Sequence, residues 1–195
     1  VIAPQLQQLI EFRGTRQAYV HSITLEGFNI THAAPTYLKS YEVPSGGDWS
    51  IHRGAAVFLD GVEGVQLRSL SFDQVDGNGI FFSNHAVDNL VQDCDFWRVG
   101  DSAISLVGSV PLGDARMSSG AAWPIGNALI GNWIEEVGVN MKQTSCIFQS
   151  LAQSTLISDN VCYNGPRAGI NFNDGFMGGS IVEGNVVFNM VVETG

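Results

Sequence analysis

From Gly64 onward the apolar residues come in short runs that recur about every 25 residues. Set VQLRSLSFDQVDGNGIFF beside LVQDCDFWRVGDSAISL, and Phe72 falls on Phe96, Val75 on Val99, Ile80 on Ile104 and Phe82 on Leu106. Further on, ALIGNWIEEVG, TLISDNVCYNG and SIVEGNVVFNM align through Asn132, Asn160 and Asn185. Within each run apolar and polar residues alternate, which is the period of a strand, and no helical spacing interrupts them. One such unit cannot bury its apolar face alone, so the units must stack. The pattern therefore predicts an all-β fold, a right-handed parallel β-helix solenoid with coils of about 25 residues and three short strands per coil.

The same pattern divides the chain. Residues 1–33 hold two early runs, LIEFRGT and SITLEGFNIT, read as first coils. Residues 34–56 are irregular, with Pro, paired Gly and several aromatics. Residues 57–195 are regular coils, interrupted by an insertion over 108–126. Insertions in a solenoid project from one face, often the binding face. Trp49 and Trp123 lie in the two irregular segments, as core covers or as platforms for stacking sugars. We expect one β-helix domain over 1–195 that is a piece of a longer chain, with further chain or another subunit covering its C-terminal end.

Alternation through the closing runs GNGIFFSN, DSAISLVGS, QTSCIFQS and RAGINFND assigns faces. Ile80, Ile104, Cys146 and Ile170 are expected to point inward, and Phe72, Phe96, Ile134, Val161 and Val186 to form a second interior column. Outward columns are then Gly79, Ala103, Ser145, Gly169; Phe81, Ser105, Ile147, Asn171; and Ser83, Val107, Gln149, Asn173. This is a shallow groove with a small-residue floor, suited to an extended polysaccharide. Asp76 and Asp101 border it on adjacent coils. Two carboxylates about one rung apart are the minimum for glycoside hydrolysis, and like charges so close would raise one pKa, as a general acid needs. Lys142 and Arg167 would grip an anionic sugar, with Asn171, Asn173 and Asp174 on the far rim. His52 and His85 are candidates for proton transfer. Asn132, Asn160 and Asn185 read as stacked amides inside a turn.

A net charge of −10 argues against nucleic acid and anionic membranes. No apolar run is long enough to span a bilayer. Cys94, Cys146 and Cys162 make no complete disulfide framework. Cys94 and Cys146 read as buried thiols, while Cys162 falls on an outward position. Asn29-Ile30-Thr31 is a glycosylation sequon. No phosphate loop, nucleophile elbow or dinucleotide fingerprint occurs. No cofactor is called for, and calcium held by scattered turn Asp is left open.

The coil units, with GN-x-I turns and G-I-x-F strands, resemble the right-handed parallel β-helix superfamily of pectate lyases and polygalacturonases over residues 57–195. More narrowly, GDWSIHRGAAVFLDG, DGNGIFF, GDSAISL, KQTS and NGPRAGINFNDGF are similar to a group of secreted β-helix repeat proteins. Polygalacturonases carry Gly-Asp-Asp before a strand of this sheet. Gly100-Asp101 matches its first two residues, and Ser102 replaces the third. Gly-His-Gly and Arg-Ile-Lys motifs have no match here. The resemblance implies Asp101 as an acid. Pectate lyases use calcium and an Arg base, a type that Arg167 shares. Together these imply a secreted glycoside hydrolase, with a non-catalytic extracellular β-helix of structural or glycan-binding role as the alternative.

Overall fold

The computed structural model describes residues 3–44, 49–109, 122–173 and 177–191. Among them there is no helix. Strands form three parallel sheets, one strand of each per coil. The first sheet runs β1 (Ile10–Arg13), β5 (Ala55–Glu63), β8 (Asn78–Val87), β11 (Ile104–Val107), β14 (Ser145–Ser150) and β17 (Ala168–Phe172), with β2 (Val20–His21) beside β5. The second contains β3 (Thr24–Glu26), β6 (Gln66–Arg68), β9 (Leu90–Gln92), β12 (Ala128–Ile130), β15 (Leu156–Ser158) and β18 (Ile181–Glu183). The third contains β4 (Asn29–Thr31), β7 (Ser71–Asp73), β10 (Asp95–Val99), β13 (Trp133–Val137), β16 (Val161–Gly165) and β19 (Val186–Met190). This is the parallel β-helix solenoid that the repeat calls for.

Each sheet sends an apolar column inward, and the first sheet sends another through Leu59, Phe82 and Leu106 that Phe172 continues. Val57, Ile80, Ile104, Ile147 and Ile170 stack in the first. Leu67, Val91, Leu129 and Ile157 stack in the second. Phe72, Phe96, Ile134, Cys162 and Val187 stack in the third, where the Phe72 and Phe96 rings lie 4.5 Å apart. Fully buried side chains of this size each contribute about 1.5–3 kcal/mol. Phe172, Val182 and Val187 belong to inward columns but are exposed on the last coil.

Two expected columns are corrected. Cys146 is not in register with Ile104; Ile147 is. Val161 and Val186 are not in register with Ile134; Cys162 and Val187 are. Since the side-chain period is two, a slip of one residue exchanges the faces. The supposed floor is interior too: Gly79 and Ala103 keep their expected register beside Ile80 and Ile104, yet Ala103 lies in the core and Ser145 is fully buried. A Cβ on Gly79 would meet the Phe96 ring at 3.0 Å, and one on Gly169 would meet Val187 at 2.4 Å. Cys146 is buried as expected, but Cys162, expected outward, is also in the core, and the two form a disulfide between β14 and β16 instead of standing as free thiols. Only Cys94 is a buried free thiol, and burial pushes its pKa up to about 11.

The corners explain the turn residues. Between second and third sheets, Ser69, Asp93, Gly131 and Asp159 each take a left-handed conformation. Between third and first sheets, Gln74, Arg98, Glu136 and Asn164 do the same. Gly131 cannot be replaced cheaply: its φ is 66°, and a Cβ would lie 2.6 Å from Asp93 Oδ1. Behind that corner is the expected amide ladder. Asn132 donates from N and Nδ2 to Asn160 Oδ1, and Asn160 does the same to Asn185 Oδ1, all at 2.9 Å. A second ladder, Asn89 onto Asn127, lines the corner between first and second sheets.

Candidate active site

The outward residues of the first sheet include Phe58, Phe81, Ser105, Phe148 and Asn171 in one column. Three large rings on a solvent face need a cover, and the irregular segment supplies it. Glu42 and Ile51 pair through two 2.9 Å backbone hydrogen bonds, folding the segment into a strap. Trp49 and Ile51 pack on Phe58, Phe81 and Phe148. Trp49, only 4% exposed, stacks on Phe148 at 5.5 Å. Arg53 pins the strap down: it pairs with Glu42 and donates to Ser83 Oγ (2.9 Å), Val107 O (3.1 Å) and Gly108 O (3.0 Å). The open groove expected from alternation is thus occupied by the chain itself.

One edge of this strap lies on the corner between third and first sheets, where Asp76 and Asp101 occupy adjacent coils. Asp76 is half-buried; its backbone N–H donates to Ala33 O and its carbonyl accepts from Asn140 Nδ2. Gly77 leaves room for Thr36 of the strap, whose Cγ2 sits 2.8 Å from where a Cβ would be. Asp101 is 2% exposed. The Tyr41 hydroxyl donates to its Oδ2 at 3.1 Å, and Thr144 and the Ser102 N–H also hydrogen-bond to it. Burial pushes the Asp101 pKa up to about 6, against the pull of these donors. The cause is desolvation, not the like charge of Asp76 that the spacing suggested. Tyr41 is held well above the usual phenol range by burial and by the Asp101 charge, so it remains a donor. The ring of His52 lies 5.8 Å from that of Tyr41, and its Nδ1 is 2.8 Å from Ser40 O. His85 is elsewhere, stacked on Tyr19 at 4.6 Å, with its pKa lowered by burial and then by Arg16.

The other expected contacts are dispersed. Lys142 Nζ donates to Gly138 O and Val139 O within its own turn. Arg167 lies over the Trp49 ring, 4.5 Å from its centroid. Asn171 stands beside Phe148 on the covered face, and Asn173 is buried with its N–H on Gln149 O. Trp123 is half-buried and donates to Gln153 Oε1 at 3.2 Å. Asp174, and residues 110–121 of the insertion, lie outside the described residues. Among the described residues, four buried polar atoms without a partner lie on the strap-covered face: Trp49 Nε1, Ser105 Oγ, Ser150 Oγ and Asn171 Nδ2. Such orphans suit a ligand rich in hydroxyls. Among the described residues no three His, Cys, Asp or Glu side chains gather as a metal ion would require.

The residues missed from sequence are Thr36, Tyr41, Arg53 and Thr144. The one available signal was the density of aromatic and charged residues in an irregular segment beside a solenoid.

No protein-family model matches this chain, and no curated protein does. Among solved structures, a glycoside hydrolase superposes with a TM-score of 0.70 at 17% identity, over 88% of this chain. The chain spans 34% of that protein's length. A likeness at this identity concerns the fold.

Proposed function

We propose that the chain is the β-helix portion of a secreted glycoside hydrolase, with Asp101 as general acid and Asp76 as its carboxylate partner. The observation that carries this reading is the Asp101 carboxyl. Burial holds it protonated to about pH 6, one coil from a half-buried second carboxylate. In hydrolysis Asp101 gives its proton to the glycosidic oxygen as the C–O bond breaks, and the Asp76 carboxylate activates water or attacks the anomeric carbon. Trp49, Arg167, Asn171 and Asn173 lie on or beside the first-sheet face that the strap covers and would hold the sugar there. Lys142 on its turn, together with Trp123 and Asp174, extends the grip along the polymer. Trp49 and Ile51 of the strap must lift for an extended chain to enter. The glycoside hydrolase of like fold supports the reaction class, and the Cys146–Cys162 disulfide supports an oxidising, extracellular location. Further coils or a partner would cover the exposed last rung.

A second reading is a non-catalytic extracellular β-helix. The Arg53 anchor favours it, because it holds the first-sheet face shut. Reducing-end release from neutral and acidic polysaccharides, measured for wild type, Asp76→Asn and Asp101→Asn, separates the two. Hydrolysis by wild type and a loss of about 10²-fold in each variant supports the enzyme. Full activity in both variants removes the assignment of these carboxylates.

A further inference from the structure

The outer face of the third sheet takes no part in that site. One outward column reads Thr31, Asp73, Trp97, Glu135, Tyr163, Phe188, and its neighbour reads Asn29, Ser71, Asp95, Trp133, Val161, Val186. A solvent-facing sheet ordinarily shows polar residues. Here Trp97 is 47% and Trp133 48% exposed, in mid-solenoid rather than at an end. They sit on adjacent rungs two positions apart, roughly 7–8 Å between backbones. Tyr163 continues the line, edge-on to Trp133 at 5.8 Å. A hydrogen-bond relay fixes these groups: Trp133 Nε1 donates to the Tyr163 hydroxyl, which donates to Glu135 Oε2. Beside them Asp73 Oδ1 is shielded from water and has no donor among the described residues.

We propose that this face binds an uncharged polysaccharide lying along the solenoid axis. A sugar ring has an apolar C–H face and a rim of hydroxyls. Exposed indoles meet the first, and carboxylates such as Asp73, Asp95 and Glu135 accept from the second. Rungs repeat about every 4.8 Å, so a polymer meets ring after ring and gains avidity. The charge decides the class. Neither column holds Lys or Arg and three positions hold acids, so a polyuronate or sulfated chain is repelled. The choice of a glycan rests on the carbohydrate-active reading above, but the site is separate from Asp76 and Asp101.

The test is retention of the whole chain on insoluble cellulose, mannan and xylan, with polygalacturonate as the charged control, at 50 and 500 mM NaCl. We expect saturable retention on at least one neutral polymer, nearly unchanged by salt. Trp97→Ala and Trp133→Ala should each weaken it about tenfold, and together abolish it, while the protein keeps a single cooperative unfolding transition because neither side chain belongs to the core. Asp101→Asn should bind normally. Loss of turnover in Asp101→Asn with binding intact would sustain both proposals. Retention that survives the double Trp variant, or no retention on any neutral polymer, overturns this one and leaves the catalytic reading standing. So does a wild-type dimer that Trp133→Ala dissociates, which would make the face a contact between copies.

Discussion

Replacing Asp101 by Asn probes the burial that sets its acidity. The unfolded carboxyl titrates near 3.8 and the folded one at about 6. Below about pH 4 both states hold the proton, so burial exacts no ionic penalty. Between about pH 4 and 6 the unfolded chain ionises while the folded one keeps its proton, so stability falls as pH rises. Two units at about 1.4 kcal/mol each give a loss of about 3 kcal/mol, complete above pH 6. Asn has the same shape and can accept from the Tyr41 hydroxyl, but it does not titrate. Any cost of its mismatched amide is independent of pH. Urea unfolding of both proteins from pH 3.5 to 7.5 yields a difference curve in which the other carboxylates cancel. Wild type minus variant should fall by about 3 kcal/mol across pH 4–6 and then level. A curve flat to within about 0.5 kcal/mol, or one that rises, would show that Asp101 is not buried as described, and the general-acid assignment would lose its basis.

Removing the disulfide with Cys146→Ala, or by reduction, should destabilise the fold by about 3 kcal/mol for a loop of this size, read as a lowered unfolding midpoint. Thiol titration of the unreduced, denatured chain should find Cys94 alone. Asn160→Leu strands the Asn132 N–H and the Leu129 carbonyl, at about 1–3 kcal/mol for each buried orphan; a midpoint within experimental error of wild type would contradict the ladder. Arg53→Met releases the strap, so amide exchange over residues 49–53 should speed up by about tenfold or more while the coils stay protected. Gly169→Phe, placed against Val187 and Cys162, should prevent folding rather than block a binding floor.

What the sequence determined by itself is the solenoid. A repeat near 25 residues, alternation within each run and Asn132, Asn160 and Asn185 in register leave little choice, because an isolated coil cannot bury its own face. The placing of Asp76 and Asp101 on adjacent coils follows from the same period. Tertiary structure decided the rest. The turn from Gly138 to Thr144 sets the register of β14, and nothing local in QTSCIFQS says whether Cys146 or Ile147 is inward. Three cysteines allow three pairings, and only the stacking of β14 near β16 brings Cys146 to Cys162. Most of all, an irregular segment carries no period, so its partner surface is invisible along the chain. Folding lays Trp49 and Ile51 over Phe58, Phe81 and Phe148 and brings Tyr41 onto Asp101, which is a buried acid there.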